Sequence, residues 1–160
     1  MATIKITASK GGTANLENYL KKESKTEEKL ITGHDCDSSK FAKSFEITRN
    51  LNNQTEGREH YHIVQSFAKG ETTAEQAHEI GNKLAKSENF KGFQAVVITH
   101  KDKEHIHNHI VINSVSFETG KKYVSNAKSL YRIRDFSDNL CNEYGLKIVE
   151  KKLEREVRTY

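Results

Sequence analysis

Phe93-Gln94-Ala95-Val96-Val97-Ile98-Thr99-His100-Lys101-Asp102-Lys103-Glu104-His105-Ile106-His107-Asn108-His109-Ile110-Val111-Ile112 decides the fold. Two apolar, β-branched runs flank a short charged connection, and runs of this kind read as buried strands. About seven residues separate 93–99 from 107–116, too few for a parallel crossover, which takes a dozen or more. The two strands are therefore expected to pair antiparallel. Four of the eight histidines fall on or between them.

Working outward, 3–8 alternates through Ile4 and Ile6 and predicts a first strand, broken at Ser9-Lys10-Gly11-Gly12. Leu16, Tyr19 and Leu20 form a helical stripe after Thr13 or Asn15. Residues 21–34 are polar and charge-mixed and predict a mobile loop. Asp37 or Ser38 suits the cap of a helix carrying Phe41 and Phe45. A polar loop around Gly57 leads to a strand over 60–67. Thr72-Thr73-Ala74-Glu75 has the pattern of a capping box before Ala77, Ile80 and Leu84. Glu118-Thr119-Gly120-Lys121 predicts a turn. A long helix over 127–144 turns Leu130, Ile133, Leu140 and Tyr144 inward, with Gly145 at its C-terminal end. Residues 146–149 predict an edge strand. The expected class is α+β, a mainly antiparallel sheet with helices packed on one main face. One domain over 1–150 and a charged tail over 151–160 are expected.

Composition sets limits. The chain has 160 residues, a net charge of +4, two cysteines (Cys36 and Cys141) and no proline. That is enough chain for one core. No run approaches the ~18 apolar residues of a membrane span. Met-Ala-Thr-Ile-Lys lacks the layout of a signal peptide. The positive charge permits a polyanionic partner without requiring one.

Strand parity organises the histidines. His105, His107, His109, Val111 and Asn113 share one face, with His107 and His109 about 6.8 Å apart. His100, ending the preceding strand, can complete a set of three. Three neutral imidazoles leave coordination positions open, as catalytic metal sites do. Asp102 can orient one ring, and His105 is the spare member. On the 60–67 strand, His62 and Ser66 share a face and can border the site. Spacing alone leaves a regulatory or adventitious zinc site as a second reading.

His100-x-Asp102-x-x-His105-x-His107-x-His109-Ile-Val-Ile-Asn113 resembles the third motif of plasmid mobilisation relaxases of the MobA/VirD type, HUH endonucleases named for two histidines flanking a hydrophobic residue. The likeness extends to His62-Ile-Val-Gln-Ser-Phe67, to Gly70-Glu71, and to Asp138-x-x-Cys141-x-x-x-Gly145-Leu146, so it spans Ile4 to about Glu150. It implies an HUH relaxase fold, His100, His107 and His109 as ligands of Mg²⁺ or Mn²⁺ (three imidazoles also suit Zn²⁺), and Tyr19 as nucleophile. Tyr19 is one of six tyrosines, and only the resemblance selects it. The implied reaction is site- and strand-specific nicking and rejoining of single-stranded plasmid DNA at an origin of transfer through a 5′-phosphotyrosyl intermediate. Relaxosome accessory proteins, a coupling protein and a bacterial cytoplasmic setting follow from the same likeness. His62, Gln65, Ser66 and Asn113 are expected to line the site. Lys10, Arg49, Lys101, Arg132 and Arg134 are candidate phosphate contacts. The alternatives are a rolling-circle replication initiator, a metal-dependent hydrolase using water, and a metal-binding DNA-binding domain without nuclease activity.

Overall fold

The computed structural model describes residues 2–7, 12–22, 24–102 and 104–146. Strands β1 (Thr3–Thr7), β2 (Ile31–His34), β3 (His60–Ser66), β4 (Ala95–His100) and β5 (His107–Asn113) form one sheet in the order β1-β3-β5-β4-β2. All four pairings are antiparallel. Helices α1 (Thr13–Leu20), α2 (Phe41–Leu51), α3 (Ala74–Ala85) and α4 (Ala127–Glu143) pack on it, making the α+β architecture. The β4–β5 pair is central, as the quoted stretch predicts.

The helices cover both faces rather than one. Ala95, Val97, Ile110 and Ile112 pack with Ile80 and Leu84 of α3 and with Ile133 and Leu140 of α4. Val96, Ile98 and Val111 point the other way, into Leu20 of α1 and Phe41 and Phe45 of α2. A strand buried on both sides needs apolar residues at consecutive positions, and Ala95–Ile98 supplies them. Phe41 and Phe45 are fully buried with ring centroids 5.6 Å apart. Each stabilises that layer by about 1.5–3 kcal/mol of burial.

The segment expected to be a mobile loop is largely ordered. A short 3₁₀ turn, Glu28–Leu30, leads into β2, whose four residues pair with β4 from Ile31↔Ile98 to His34↔Ala95. Ile-Thr-Gly-His carries no apolar alternation, because β2 is an edge strand in which only Ile31 meets the core, while Thr32 and His34 bond His78 and Asn82 of α3.

Capping also differs in detail. Thr73, not Thr72, caps α3, accepting from the Gln76 amide at 3.1 Å. Asp37 caps only the 3₁₀ turn Ser38–Lys40. The first amides of α2, on Phe41 and Ala42, donate to the Glu17 carboxylate of α1 at 3.3 and 3.1 Å. That contact locks the two helices of the second layer together. The 118–121 turn forms, with Gly120 at φ +72°. A Cβ there would stand 2.6 Å from Asn52 Oδ1. Of the proposed edge strand, 147–149 lies outside the described residues, as do the tail and Lys10.

Candidate active site

His100, His107 and His109 converge. Their nearest ring nitrogens all lie within 4.8 Å of one another, a spread that small ring rotations close onto one ion. The ring centroids of His100 and His109 are 4.2 Å apart. The register explains the meeting: His100 pairs with His107, and Ile98 with His109, on adjacent antiparallel strands.

The hydrogen bonds of the rings leave lone pairs that a metal could use. A carbonyl only accepts, so the His100 Nε2–H donates to the Leu20 carbonyl at 2.9 Å and Nδ1 keeps its lone pair. His62 Nε2 and His109 Nδ1 share one proton at 2.7 Å. Carried on His109, that proton leaves Nε2 as a bare acceptor, and Nε2 is buried without a partner. An orphaned lone pair facing two other imidazoles is what a metal ligand looks like before its ion binds. Burial pushes His109 down to about 2, with His100, His62 and His107 adding to the effect. Burial, then the neighbouring His60, brings His62 to about 4. His100 is lowered by burial as well, against the opposing bond to Leu20. These rings are neutral at pH 7, so the site can hold a divalent metal.

The histidine face lies beneath α1, which is tied down at both ends. At its C-terminal end the Leu20 carbonyl accepts from His100. At its start, the Thr13 amide donates to Glu59 Oε1 at 3.0 Å, and the Thr13 hydroxyl bonds Glu59 at 3.1 Å and His60 Nδ1 at 2.9 Å. Tyr19, next to Leu20, is 48% exposed. It is therefore not the packing tyrosine its apolar stripe suggests; the Lys22 and Lys25 ammoniums lie 5.3 and 5.0 Å from its ring centre.

A buried polar row backs the histidines from the opposite face. Gln65, Asn108 and Thr99 are register partners on β3, β5 and β4. Asn108 Nδ2 donates to Gln65 Oε1 at 2.9 Å and to the Ala77 carbonyl at 2.6 Å. The Thr99 hydroxyl donates to Asn108 Oδ1 at 2.6 Å. The row continues from Thr99 to His78 Nδ1 (2.8 Å) and from His78 Nε2 to Thr32 (2.7 Å). At its other end Gln65 donates to Ser137 at 2.9 Å. Thr99 precedes one ligand candidate and Asn108 stands between the other two. A slip of one residue would move every histidine to the wrong face, and directional bonds oppose it. Gln65, expected to line the site, belongs instead to this row on the opposite face, and the rest of the row had no place in the sequence reading. Its one signal was a polar Asn108 where the motif favours a hydrophobic residue.

Other expected site residues fare differently. His62 joins the cluster, and Ser66 lies opposite His107 in the register. His105 stays outside the triad, its Nδ1 3.3 Å from the Phe67 carbonyl. Asp102 faces the Lys25 ammonium at 3.5 Å instead of hydrogen-bonding an imidazole. Asn113 lies four residues past His109, about 13 Å along the strand. It bonds the Phe45 carbonyl and Gln94, away from the cluster. Arg49 is buried, donating to the Glu59 carbonyl at 3.1 Å and to Asn113 at 3.4 Å, so its guanidinium is spent on the fold. Lys101 is half-exposed and paired with Glu27 at 3.1 Å.

A five-stranded antiparallel sheet with a histidine triad on its two central strands fits the HUH class of nuclease fold. The sequence profile for relaxases, MobA/VirD2-like, nuclease domain, matches residues 15–146, and the chain belongs to that family. It is 41% identical over 152 residues to a Protein rlx of Staphylococcus aureus, covering 95% of this chain and 44% of that protein. A second Staphylococcus aureus Protein rlx is 43% identical over 155 residues, 96% of this chain and 46% of the relative. The group II intron-interrupted relaxase LtrB of Lactococcus lactis subsp. cremoris is 34% identical over 105 residues, 57% of this chain and 19% of LtrB. The chain thus spans less than half the length of these relatives. No solved structure matches it significantly. No helix among the described residues is long and apolar enough to cross a membrane.

Proposed function

We propose that this chain is the strand-nicking and rejoining domain of a plasmid mobilisation relaxase, acting in the bacterial cytoplasm on single-stranded DNA at an origin of transfer. The observation that supports this most is the bond from His100 to the Leu20 carbonyl, because it ties the helix bearing Tyr19 to the histidine triad. His100, His107 and His109 would hold the divalent ion, Mg²⁺ or Mn²⁺, and His62 would fix the tautomer of His109. When bound, the ion offsets charge on the non-bridging oxygens of the scissile phosphate.

Tyr19 supplies the nucleophile. Its phenol oxygen forms a bond to phosphorus as the bond from phosphorus to the 3′ oxygen breaks. The phenol proton ends on the released 3′-hydroxyl, and the 5′ strand stays on Tyr19 as a phosphodiester. One phosphodiester replaces another, so the step can run backwards and rejoin the strand. The relatives' names favour mobilisation over replication initiation.

The test uses labelled single-stranded oligonucleotides tiling the DNA that flanks the coding sequence, with Mn²⁺, resolved on a denaturing gel. A covalent adduct in the wild type that is lost in Tyr19→Phe supports the reading. Cleavage without an adduct favours attack by water and contradicts it.

A further inference from the structure

Lys25 occupies a place that neither the family motif nor the triad accounts for. The segment around it is strapped to β4 on both sides of His100. The Thr26 hydroxyl, buried, donates to the Thr99 carbonyl at 2.7 Å, and the Lys101 amide donates to the Lys25 carbonyl at 2.9 Å. The Lys25 side chain is only 18% exposed. Its ammonium lies 5.0 Å from the centre of the Tyr19 ring and 3.5 Å from Asp102. Lys22 also reaches the Tyr19 ring, at 5.3 Å, but it is solvent-exposed and has no such strap.

A long flexible side chain seldom holds one position without cause. Here the backbone strap fixes its root and Asp102 fixes its tip. The two backbone bonds flank His100, the last residue of β4, which places the root of Lys25 beside the triad. A cation there opposes a divalent ion in the empty protein. It becomes favourable once a phosphate and an ionising phenol bring negative charge.

We propose that Lys25 is the fixed cation of the cleavage site, held beside Tyr19 and the histidine triad to offset the charge of the scissile phosphate and the attacking phenol oxygen. The proposal rests on Tyr19 as nucleophile. It adds a residue that acts on the transition state while working against metal binding in the DNA-free protein. A group that merely props up the fold would favour both.

The test compares wild type, Lys25→Met, Lys25→Arg, Tyr19→Phe and the surface control Lys43→Met. Adduct formation is measured in single turnover at saturating oligonucleotide, and Mn²⁺ affinity is measured calorimetrically without DNA. Lys25→Met is expected to slow adduct formation at least about tenfold. It is also expected to bind Mn²⁺ about three- to tenfold more tightly, as loss of a nearby positive charge requires. Lys25→Arg should restore most of the rate, and Lys43→Met should match wild type in both. Adduct formation within twofold of wild type in Lys25→Met overturns the proposal. So does weaker Mn²⁺ binding that accompanies the slower rate, which marks the strap as structural only. An adduct persisting in Tyr19→Phe instead overturns the nucleophile assignment, whatever Lys25→Met does.

Discussion

Asn108 offers the sharpest test of how the fold holds its histidines. It is fully buried and makes three hydrogen bonds, to Gln65, the Ala77 carbonyl and Thr99. In Asn108→Ala all three are lost. The Thr99 hydroxyl keeps His78, but the Ala77 carbonyl and Gln65 Oε1 lose a donor. At about 1 kcal/mol net per bond, with added cost for stranded acceptors, the expected loss is about 3–4 kcal/mol. For a chain of this size that is a fall in Tm of roughly 6–15 °C. Gly81→Ala approaches the same row from the helix side. Alanine favours a helix over glycine by about 0.8–1 kcal/mol. Yet the new Cβ would stand 2.6 Å from Asn108 Nδ2 and 3.0 Å from Val97 Cγ1. The row, if rigid, makes Gly81→Ala destabilising in spite of that preference. Urea unfolding of both variants measures the costs, and Mn²⁺ titration of the folded proteins measures the effect on the site. A loss under 1 kcal/mol for Asn108→Ala, or a net gain for Gly81→Ala, would refute the argument that this row fixes the register.

Three further outcomes follow from the same geometry. His62→Phe removes the partner that orients His109 and should weaken Mn²⁺ binding about 10–100-fold while the circular dichroism spectrum stays native; unchanged affinity would end that role. Because burial lowers His62 to about 4 and His109 to about 2, the unfolded chain takes up protons below pH ~6.5 that the fold refuses. The stability of the metal-free protein is thus fully present above pH ~6.5 and falls between 6.5 and 5 by about 1.4 kcal/mol per pH unit for each such histidine, and a flat profile in urea unfolding contradicts it. Glu17→Ala strips the carboxylate that caps α2 and should cost about 0.5–2 kcal/mol in thermal unfolding; no change would show the contact between α1 and α2 to be incidental.

What could be read in the sequence was whatever periodicity carries. The β4–β5 pair was legible because Ala95–Ile98 and Ile110–Ile112 are uninterrupted and their connection is short. The facing of His107 and His109 followed from strand alternation, which tertiary contacts rarely override. The edge strand β2 was hidden because Thr32-Gly33-His34 buries no apolar face; backbone pairing and polar bonds from Thr32 to His78 and from His34 to Asn82 hold it instead. Two-sided coverage of the sheet was present in the apolar runs but was outweighed by the antiparallel expectation. Contacts across long separations left no local trace. Arg49 read as a surface cation, yet Glu59 and Asn113 enclose it. Asp102 read as a partner for an imidazole, yet it faces Lys25, seventy-seven residues earlier. The three histidines that the motif names do lie together in space. It offered nothing on what positions them.

The most direct measurement is to digest the covalent DNA adduct and locate the modified residue by mass spectrometry, with and without Mn²⁺. The account predicts an adduct that forms only with metal, carrying a 5′-phosphonucleotide on Tyr19. A nucleotide on Tyr61, Tyr123, Tyr131, Tyr144 or Tyr160, or cleaved DNA with no nucleotide on the protein, would contradict it.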